Sequence, residues 1–596
     1  MKNMSPSAEE NKKESLVYKF NKLSSASEGF RSRIEKNNNK SYLMGLGAQY
    51  YPENFPRDKE KLLIRLLKYL LIGEIKTVEN LNQQIRKFFS GKNEKDFFPS
   101  YWMLHFIYWR HFYLKLKKIP EFIRLSQKHQ VRSLSGIVPL SLFTKPQGSC
   151  PFYCVYCATQ KGAPKSYFTD EAAVMRAIRN KYDPYLQTRN RLIQFFLSGH
   201  PIDKIDVIIQ GGTFSFYPKK YREWFVSEIY RACNDEIAKL IIFGTLCQPA
   251  RQERQTFHAW QAIVPERDCR IYGTQKANER ATSRVVGLTI ETRPDFIDGI
   301  ECWFLRKLGV TRVEMGVQTL DNKVLKTIKR GHTVLSVVKA TKLLRDFGFK
   351  ITYHLMPGLP GSTVAKDLII LKKIFSDDRF RPDAIKFYPT QVVQGTELLE
   401  WYRKGKFIPL SNDDLNTIVT EFKKKIVPRW VRINRLVRDL TKSDVAVETF
   451  ASNFRQNIIV KCPCIRCREI KNRHSSKSVK LRLTKYFAAQ GKEYFIEAVD
   501  WQDWLYGFVR LRITKANLLK RCGLIRELHV YGPQIEIGEK GIVQHQGIGT
   551  RLMKKAESIA KENNVNYLAV ISGVGAREYY RKLGYRLENE YMVKEI

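Results

Sequence analysis

Cys150, Cys154 and Cys157 stand in the string Cys-Pro-Phe-Tyr-Cys-Val-Tyr-Cys, a C-x3-C-x2-C spacing. Thiolates this close on one loop can hold three irons of a four-iron cluster, which leaves the fourth iron free for a small chelating ligand. A structural zinc site is the plainer reading, and it lacks a fourth ligand in this stretch. A second trio, Cys462, Cys464 and Cys467, reads C-x-C-x2-C. It suits one tetrahedral zinc ion, with an auxiliary iron–sulfur cluster as the rival. Basic neighbours (Arg466, Arg468, Lys471, Arg473) favour thiolates there. Its nearest candidate fourth ligand is His474, and its expected role is a structural clip between domains. Further on, Gln544-His545-Gln546-Gly547-Ile548-Gly549 precedes the helical stretch TRLMKKAESIAKE. The backbone N–H groups of such a loop, with the positive helix end behind them, suit a pyrophosphate.

Other polar residues close apolar runs. Gly211 and Gly212 follow DVIIQ, and glycines there let the backbone come close to a ligand. Glu291 and Arg293 close a third run, as an acid and a guanidinium able to grip a ribose or a carboxylate. Gln318 closes a fourth, and His354 with the turn MPGLPG (356–361) a fifth. Each has an ordinary reading as a βα turn or a solvated end. Their shared position at strand C-termini favours a site. The first cysteine trio resembles the radical S-adenosylmethionine superfamily, and Tyr156, just before the third cysteine, fits it. That resemblance implies a [4Fe-4S] cluster whose open iron binds S-adenosylmethionine and splits it to a 5′-deoxyadenosyl radical. Gly211, Gly212, Glu291, Arg293 and Gln318 would then contact that cofactor. The Q-x-x-G-x-G loop, the strand before it (525–532) and the strand after it (567–573) resemble GNAT acyltransferases. This implies acetyl-CoA against Glu527, Leu528, His529 and Val530, against the loop from Gln544 to Gly549, and against Tyr580. It makes Tyr579 and Tyr580 the candidates for a catalytic phenol that protonates the leaving thiolate; core or surface tyrosines are the plainer reading.

The elements that must position these groups are legible from periodicity. Strand-like runs at 136–144, 204–212, 285–293, 312–318, 350–358 and 384–390 alternate with helical stretches. The fold class is α/β: a partial TIM-like barrel of six βα units with its site at the strands' C-terminal ends, then a GNAT-type α/β domain. The stretch 246–273 breaks the rhythm as an inserted loop. Before the barrel, 55–130 is helical, with Thr77 as a helix start and 62–73 an amphipathic helix cut by Arg65 and Lys68. Aromatic and basic residues interleave at 101–118, which suits RNA contact, with core packing as the rival. The domain reading is a flexible basic tail (1–45), a helical tRNA-binding region (46–130), a radical domain (131–400), a linker with the zinc-type cysteines (401–480) and an acetyltransferase domain (481–596).

Composition bounds the class. Lys plus Arg number 103 against 59 Asp plus Glu in 596 residues, a net charge of +44. Hydrophobic residues at 43% exclude a mainly disordered chain, and the charge excludes an isolated acidic module. So positive a chain favours a polyanionic partner, RNA or DNA ahead of a membrane surface. The polar start MKNMSPSAEENKKES lacks an apolar signal region, and clustered thiols suit a reducing compartment, so the expected place is cytoplasmic with no membrane partner.

Taken together, the chain resembles the catalytic subunits of Elongator, tRNA wobble-uridine modifying enzymes. The shared strings include QGGTF (210–214), GLTIETRPD (287–295), RVEMGVQT (312–319), KRGHTV (329–334), RPDAIKFYPT (381–390), CPCIRCRE (462–469), QHQGIG (544–549), VISGVG (570–575) and YYRKLGYRL (579–587). Two features depart from that family. The gap between the first two cluster cysteines differs, and Ala158-Thr159-Gln160 stands where Pro-Gly-Gly is usual. The 246–273 segment is also longer. The resemblance implies that the deoxyadenosyl radical takes hydrogen from the acetyl group of acetyl-CoA. The carbon radical then adds to carbon 5 of the wobble uridine, and hydrolysis leaves 5-carboxymethyluridine. It implies the tRNA anticodon stem-loop as partner and admits a homodimer and accessory Elongator-like subunits. The radical centre and the thioester pocket would have to share a common chamber. The competing readings are a protein lysine acetyltransferase with a structural iron–sulfur domain, and a non-catalytic RNA-binding scaffold.

Overall fold

Seven strands form the first sheet: β1 (Val138–Phe143), β2 (Lys204–Gln210), β3 (Arg284–Thr292), β4 (Arg312–Gln318), β5 (Lys350–Leu355), β6 (Ala384–Phe387) and β7 (Arg432–Arg435). They pair in sequence order and all in parallel. Helices between them return the chain, as parallel pairing requires. Their starts are written locally: Asp183 caps Pro184–Leu197, Thr333 caps Val334–Asp346 and Thr363 caps Val364–Ser376, each through its side-chain oxygen. The six expected strands are all present. The seventh comes from Arg-Ile-Asn-Arg, whose single apolar residue, Ile433, is buried. One apolar residue sets no period, so the sequence does not announce it.

The computed structural model describes residues 55–73, 75–90, 97–116, 121–127, 135–242, 269–438, 440–441, 443–447, 454, 458, 460–471, 473, 478–514, 522–532 and 547–596. The expected tail 1–45, most of the 246–273 insertion, His474, and Gln544, His545 and Gln546 lie outside them. Among the described residues no helix is long and apolar enough to cross a membrane.

Helices Glu60–Ile72, Val78–Phe89 and Tyr101–Ile107 precede the barrel. Thr77 caps the second by accepting from Asn80 N at 3.1 Å. The first buries Leu62, Leu63, Leu66, Leu67 and Leu70 on one stripe. The rings of 101–112 that could have stacked on bases are mostly packing. Trp102, Phe106 and Tyr108 are buried, and Trp109 lies 4.7 Å from Phe196 on a barrel helix. Among the residues this region shows to solvent are the cations Lys61, Arg65, Lys68, Lys76, Arg86 and Lys87, beside exposed apolar side chains such as Ile72 and Phe98.

The second sheet holds β8 (Lys480–Ala488), β9 (Gly491–Val499), β10 (Leu505–Ile513), β11 (Cys522–Val530), β12 (Tyr567–Val570), β13 (Arg586–Glu588) and β14 (Tyr591–Glu595). Its order is β13-β14-β12-β11-β10-β9-β8, antiparallel except for the β11–β12 pair. The helix Ile548–Glu562 packs its buried face (Ile548, Leu552, Met553, Ala556, Ile559) into this sheet's core.

The two sheets meet through buried ions at the N-terminal ends of the first sheet's strands. Asp383, just before β6, accepts from Arg526 Nη1 at 2.8 Å and Nη2 at 2.6 Å. Glu493 accepts from Arg345 at 2.9 Å and from Arg512 at 3.1 Å. Arg526 also donates to Phe349 O at 2.9 Å, just before β5. Burial alone would raise the acids. The facing arginines outweigh it and hold both Asp383 and Glu493 below their ordinary range.

Candidate active site

The loop with Cys150, Cys154 and Cys157 lies at the C-terminal ends of the strands. Thr213 N donates to Ser149 O at 2.8 Å, and a Cβ on Gly212 would stand 2.7 Å from that same oxygen. A Cβ on Gly211 would strike Thr144 Oγ1. Both glycines have positive φ, 126° and 98°. They are needed, therefore, for the cysteine loop to pass β2 closely. Arg330 donates to Cys154 Sγ at 3.6 Å and to Gly316 O at 2.6 Å, which ties the loop to β4. Burial, then the neighbouring Cys154 and Cys150, push the Cys157 thiol up to about 12. Thiols so placed ionise together only when a metal centre takes up the charge.

Among the buried polar atoms without a partner beside this loop are one on Arg293 and one on Gln318. Arg293 bonds Asp295 through Nε (3.0 Å) and Nη2 (2.9 Å) and lies 3.5 Å over the Phe152 ring, and its Nη1 is unpaired. Gln318, at φ 67°, leaves Oε1 unpaired. Such atoms cost about 1–3 kcal/mol each when left dry. Three thiols with a donor and an acceptor beside them fit a [4Fe-4S] cluster carrying S-adenosylmethionine.

Below this mouth the concave face of the sheet is polar. Glu291, Glu314 and His354 bring their ligand atoms within 4.8 Å of one another. Glu314 Oε2 accepts from His354 Nε2 at 3.1 Å and from Lys386 Nζ. Lys386 on β6 also stands 3.6 Å from Glu291 on β3, three strands away, a reach that only a strongly curved sheet allows. Tyr167 donates to Glu291 Oε2 at 2.9 Å. Glu291 thus sits in this cluster, while Arg293 sits at the cysteine loop. Sequence reasoning missed Glu314, Lys386, Tyr167 and Arg330. A charged residue midway along an apolar strand, as in RVEMGVQ and AIKFYPT, was the available signal.

Nearer the strands' beginnings, Arg312 pairs with Asp206 at 3.4 Å and Lys350 with Glu527 at 3.6 Å. Glu527 also accepts from Arg510 at 2.9 Å, and these cations outweigh burial to hold it down to about 2. His529 Nε2 donates to Ser135 O at 2.9 Å, and burial lowers its pKa to about 4, so the ring is neutral. Glu527 and His529 of β11 therefore face the barrel, and they anchor the second sheet beneath it.

On that sheet β11 pairs with β12 only from Cys522 to Ile525, while β11 runs on to Val530. The N-terminus of Ile548–Glu562 meets β11 beyond that pairing, at Val530, which makes this the candidate thioester slot. Gly547 caps that helix with φ 78°. A Cβ on Gly549 would lie 2.7 Å from Tyr579 Oη and 3.7 Å from Val530. The Tyr579 phenol, Gly549 and Val530 therefore meet at one point. Tyr579 is partly exposed, and Tyr580 is buried in the sheet's core, 5.2 Å away ring to ring. Burial raises both phenols, so both are protonated donors. The end of β11 beyond its pairing with β12, the helix N-terminus and the phenol together fit a thioester with its pantetheine arm. The slot and the cysteine loop are served by opposite ends of the barrel strands. The polar cluster of Glu291, Glu314, His354 and Lys386 belongs to the same barrel.

The second trio is tighter. The sulfurs of Cys462, Cys464 and Cys467 lie within 4.8 Å of one another. Neighbouring thiols and burial raise Cys462. Thiolates on one tetrahedral zinc, at about 2.3 Å each, stand about 3.8 Å apart, so the trio is compact enough for a single ion. Arg468 beside it donates to Arg429 O at 3.0 Å, ahead of β7, and to Glu497 on β9, joining the two sheets.

The Radical SAM superfamily pattern matches residues 144–370, the Radical_SAM C-terminal domain matches 382–461 and the Acetyltransferase (GNAT) domain matches 540–595. The chain is 40% identical over 485 residues to the tRNA uridine(34) acetyltransferase of Dehalococcoides mccartyi, across 78% of this chain and 99% of that protein. It is 34% identical over 498 residues to Elongator complex protein 3 of Homo sapiens, across 78% and 85%. The solved archaeal Methanocaldococcus infernus Elp3 with its N-terminus (1–46) deleted superposes with a TM-score of 0.62 at 34% identity, covering 78% of this chain and 100% of that one.

Proposed function

Since the chain belongs to the family of the tRNA uridine(34) acetyltransferases and Elongator complex protein 3, we propose that it is a radical acyltransferase that forms 5-carboxymethyluridine at the wobble position of tRNA from acetyl-CoA. The observation that carries this reading is the pairing of two sites on one polar-lined barrel: a cysteine loop at its mouth and a thioester slot on the sheet beneath its floor.

When bound, the cluster and its S-adenosylmethionine supply a radical able to take hydrogen from the acetyl methyl group. Cys150, Cys154 and Cys157 would hold the cluster, with Arg330 bracing Cys154. Arg293 Nη1 and Gln318 Oε1 are the free polar groups for the cofactor's carboxylate and hydroxyls. At the slot, β11 beyond Ile525 offers backbone groups to the pantetheine amides. Tyr579 Oη, protonated and partly exposed, is placed to give its proton to the departing thiolate. The wobble base must leave its stack to reach the barrel, which an anticodon loop permits. The exposed lysines and arginines of 60–89 supply phosphate contacts. Zinc on Cys462, Cys464 and Cys467 belongs to this reading as the clip that fixes one sheet on the other, as does a reducing, cytoplasmic setting. A homodimer or accessory Elongator-like subunits belong to it as well, and the mass of the active species in solution decides between them.

Cys154→Ala tests the radical role. Anticodon modification, read by mass analysis of nucleosides, is expected to vanish while tRNA affinity stays within about twofold, because Cys154 is buried and makes no phosphate contact in this reading. Modification persisting in the variant would overturn the reading.

A further inference from the structure

Barrel interiors are ordinarily filled with branched apolar side chains. Here the space between β4, β5 and β6 holds Glu314, His354 and Lys386 instead, with Glu314 1% exposed. Burying such ions costs several kcal/mol each before pairing, so fold stability is a poor reason to keep them. The charges of Glu314 and Lys386 are fixed. Burial alone would neutralise Glu314 and Lys386, but each outweighs that for the other, holding the carboxyl well below its ordinary range and the ammonium above its own. Glu314 can therefore only accept hydrogen bonds and Lys386 can only donate them. Within the same pleat pattern, Thr289 lies two residues before Glu291 and Thr352 two before His354. The hydroxyls of both threonines are fully buried and have no partner. Unsatisfied hydroxyls beneath Glu314, His354 and Lys386 on one concave face mark a place for a polar guest.

The trio presents donor, acceptor, donor: Lys386, Glu314, His354. A uracil ring presents the complement, a carbonyl, an N–H and a second carbonyl. Cytosine presents an amino group and a bare ring nitrogen in the first two places. These would set donor against donor and lone pair against carboxylate. Resting on the tRNA reading above, we propose that Lys386, Glu314 and His354 form the seat that reads the Watson–Crick edge of the extruded wobble uracil. In the free protein the two donors rest on Glu314. The base takes their place, with its 4-carbonyl on Lys386, its ring N–H on Glu314 and its 2-carbonyl on His354. Uridine is then selected by hydrogen bonds inside the barrel, and the anticodon phosphates contribute only affinity. The seat lies between the cysteine loop and the sheet that bears the thioester slot, where carbon 5 has to be for either to reach it.

Two measurements on the full chain test the seat. An anticodon stem-loop with 4-thiouridine at the wobble position is bound to wild-type protein, irradiated and digested. Cross-links are expected in the peptides spanning 350–355 and 384–388. Cross-links confined to segments outside the first sheet's strands overturn the seat. Separately, wild-type protein is expected to bind the uridine stem-loop about tenfold more tightly than the cytidine one, the worth of one charged hydrogen bond. Glu314→Gln, with wild-type iron content and melting temperature, is expected to bring that ratio below about twofold. An unchanged ratio overturns the proposal. Should Glu314→Gln fail to fold, Lys386→Met is read in the same assay with the same two outcomes. If the wild type makes 5-carboxymethyluridine while the cross-links miss the barrel, the proposed function stands and the seat alone falls.

Discussion

At Gly549 the absence of one methyl group decides whether a phenol can reach the helix N-terminus. A Cβ there would stand 2.7 Å from Tyr579 Oη, inside van der Waals contact. Alanine is also the better helix former, so Gly549→Ala should leave the melting temperature unchanged or slightly raised. Its cost should fall on the slot, as a drop of about tenfold or more in kcat/KM for acetyl-CoA thioester hydrolysis once the phenol is displaced. Equal kinetics in variant and wild type would show that Tyr579 is a bystander. Gly211 and Gly212 teach a related lesson. The sequence suggested that they admit a ligand. The contacts add a further demand for them, since a Cβ on either would strike Thr144 or Ser149 beside the cysteine loop.

At the scale of elements, the loop after β12 explains a motif by docking. A Cβ on Gly573 would strike Val286 O, and one on Gly575 would stand 2.5 Å from Arg284 Cβ and 2.9 Å from Val285 N. These glycines let the second sheet's loop lie against the first turn of β3, and strand backbone cannot give way as a side chain can. Gly573→Ala is expected to destabilise the fold by about 1–3 kcal/mol, seen as a lower urea midpoint with no change in iron content. A wild-type midpoint would mean that the two sheets have slack where they touch. The same docking surface carries Arg526, Asp383, Glu493 and Arg345, all buried. Such ions tolerate few alternative placements, so they specify one orientation of sheet on sheet more than they add stability.

For the whole molecule, buried neutral histidines couple folding to pH. Burial lowers His105 to about 3 and His529 to about 4, with His200 adding to the first effect. Both depart downward from an unfolded value of about 6.5. The unfolded chain therefore binds protons that the folded chain refuses, and stability falls as pH drops from about 6.5 toward 4. Each histidine contributes a slope of about 1.4 kcal/mol per pH unit in that window. The thermal midpoint should decline steadily across it, and His529→Gln should flatten the decline while keeping a donor for Ser135 O. A midpoint independent of pH between 6.5 and 4 would contradict the buried, neutral assignment.

Local sequence was enough for the cysteine spacings, the Q-x-x-G-x-G loop, six of the seven parallel strands and the helix start at Thr77. All of these are local: a few neighbouring residues set a ligand spacing, a pleat or a cap. Long-range packing alone sets the second sheet against the N-terminal ends of the barrel strands. It alone brought Glu314 to Lys386 across 72 residues and to His354 across 40. It also turned the aromatic stretch after Tyr101 inward as packing. These outcomes depend on which distant strands curve toward one another. No local period records that, because burial of an ion is settled by its partners and those partners are remote in the chain.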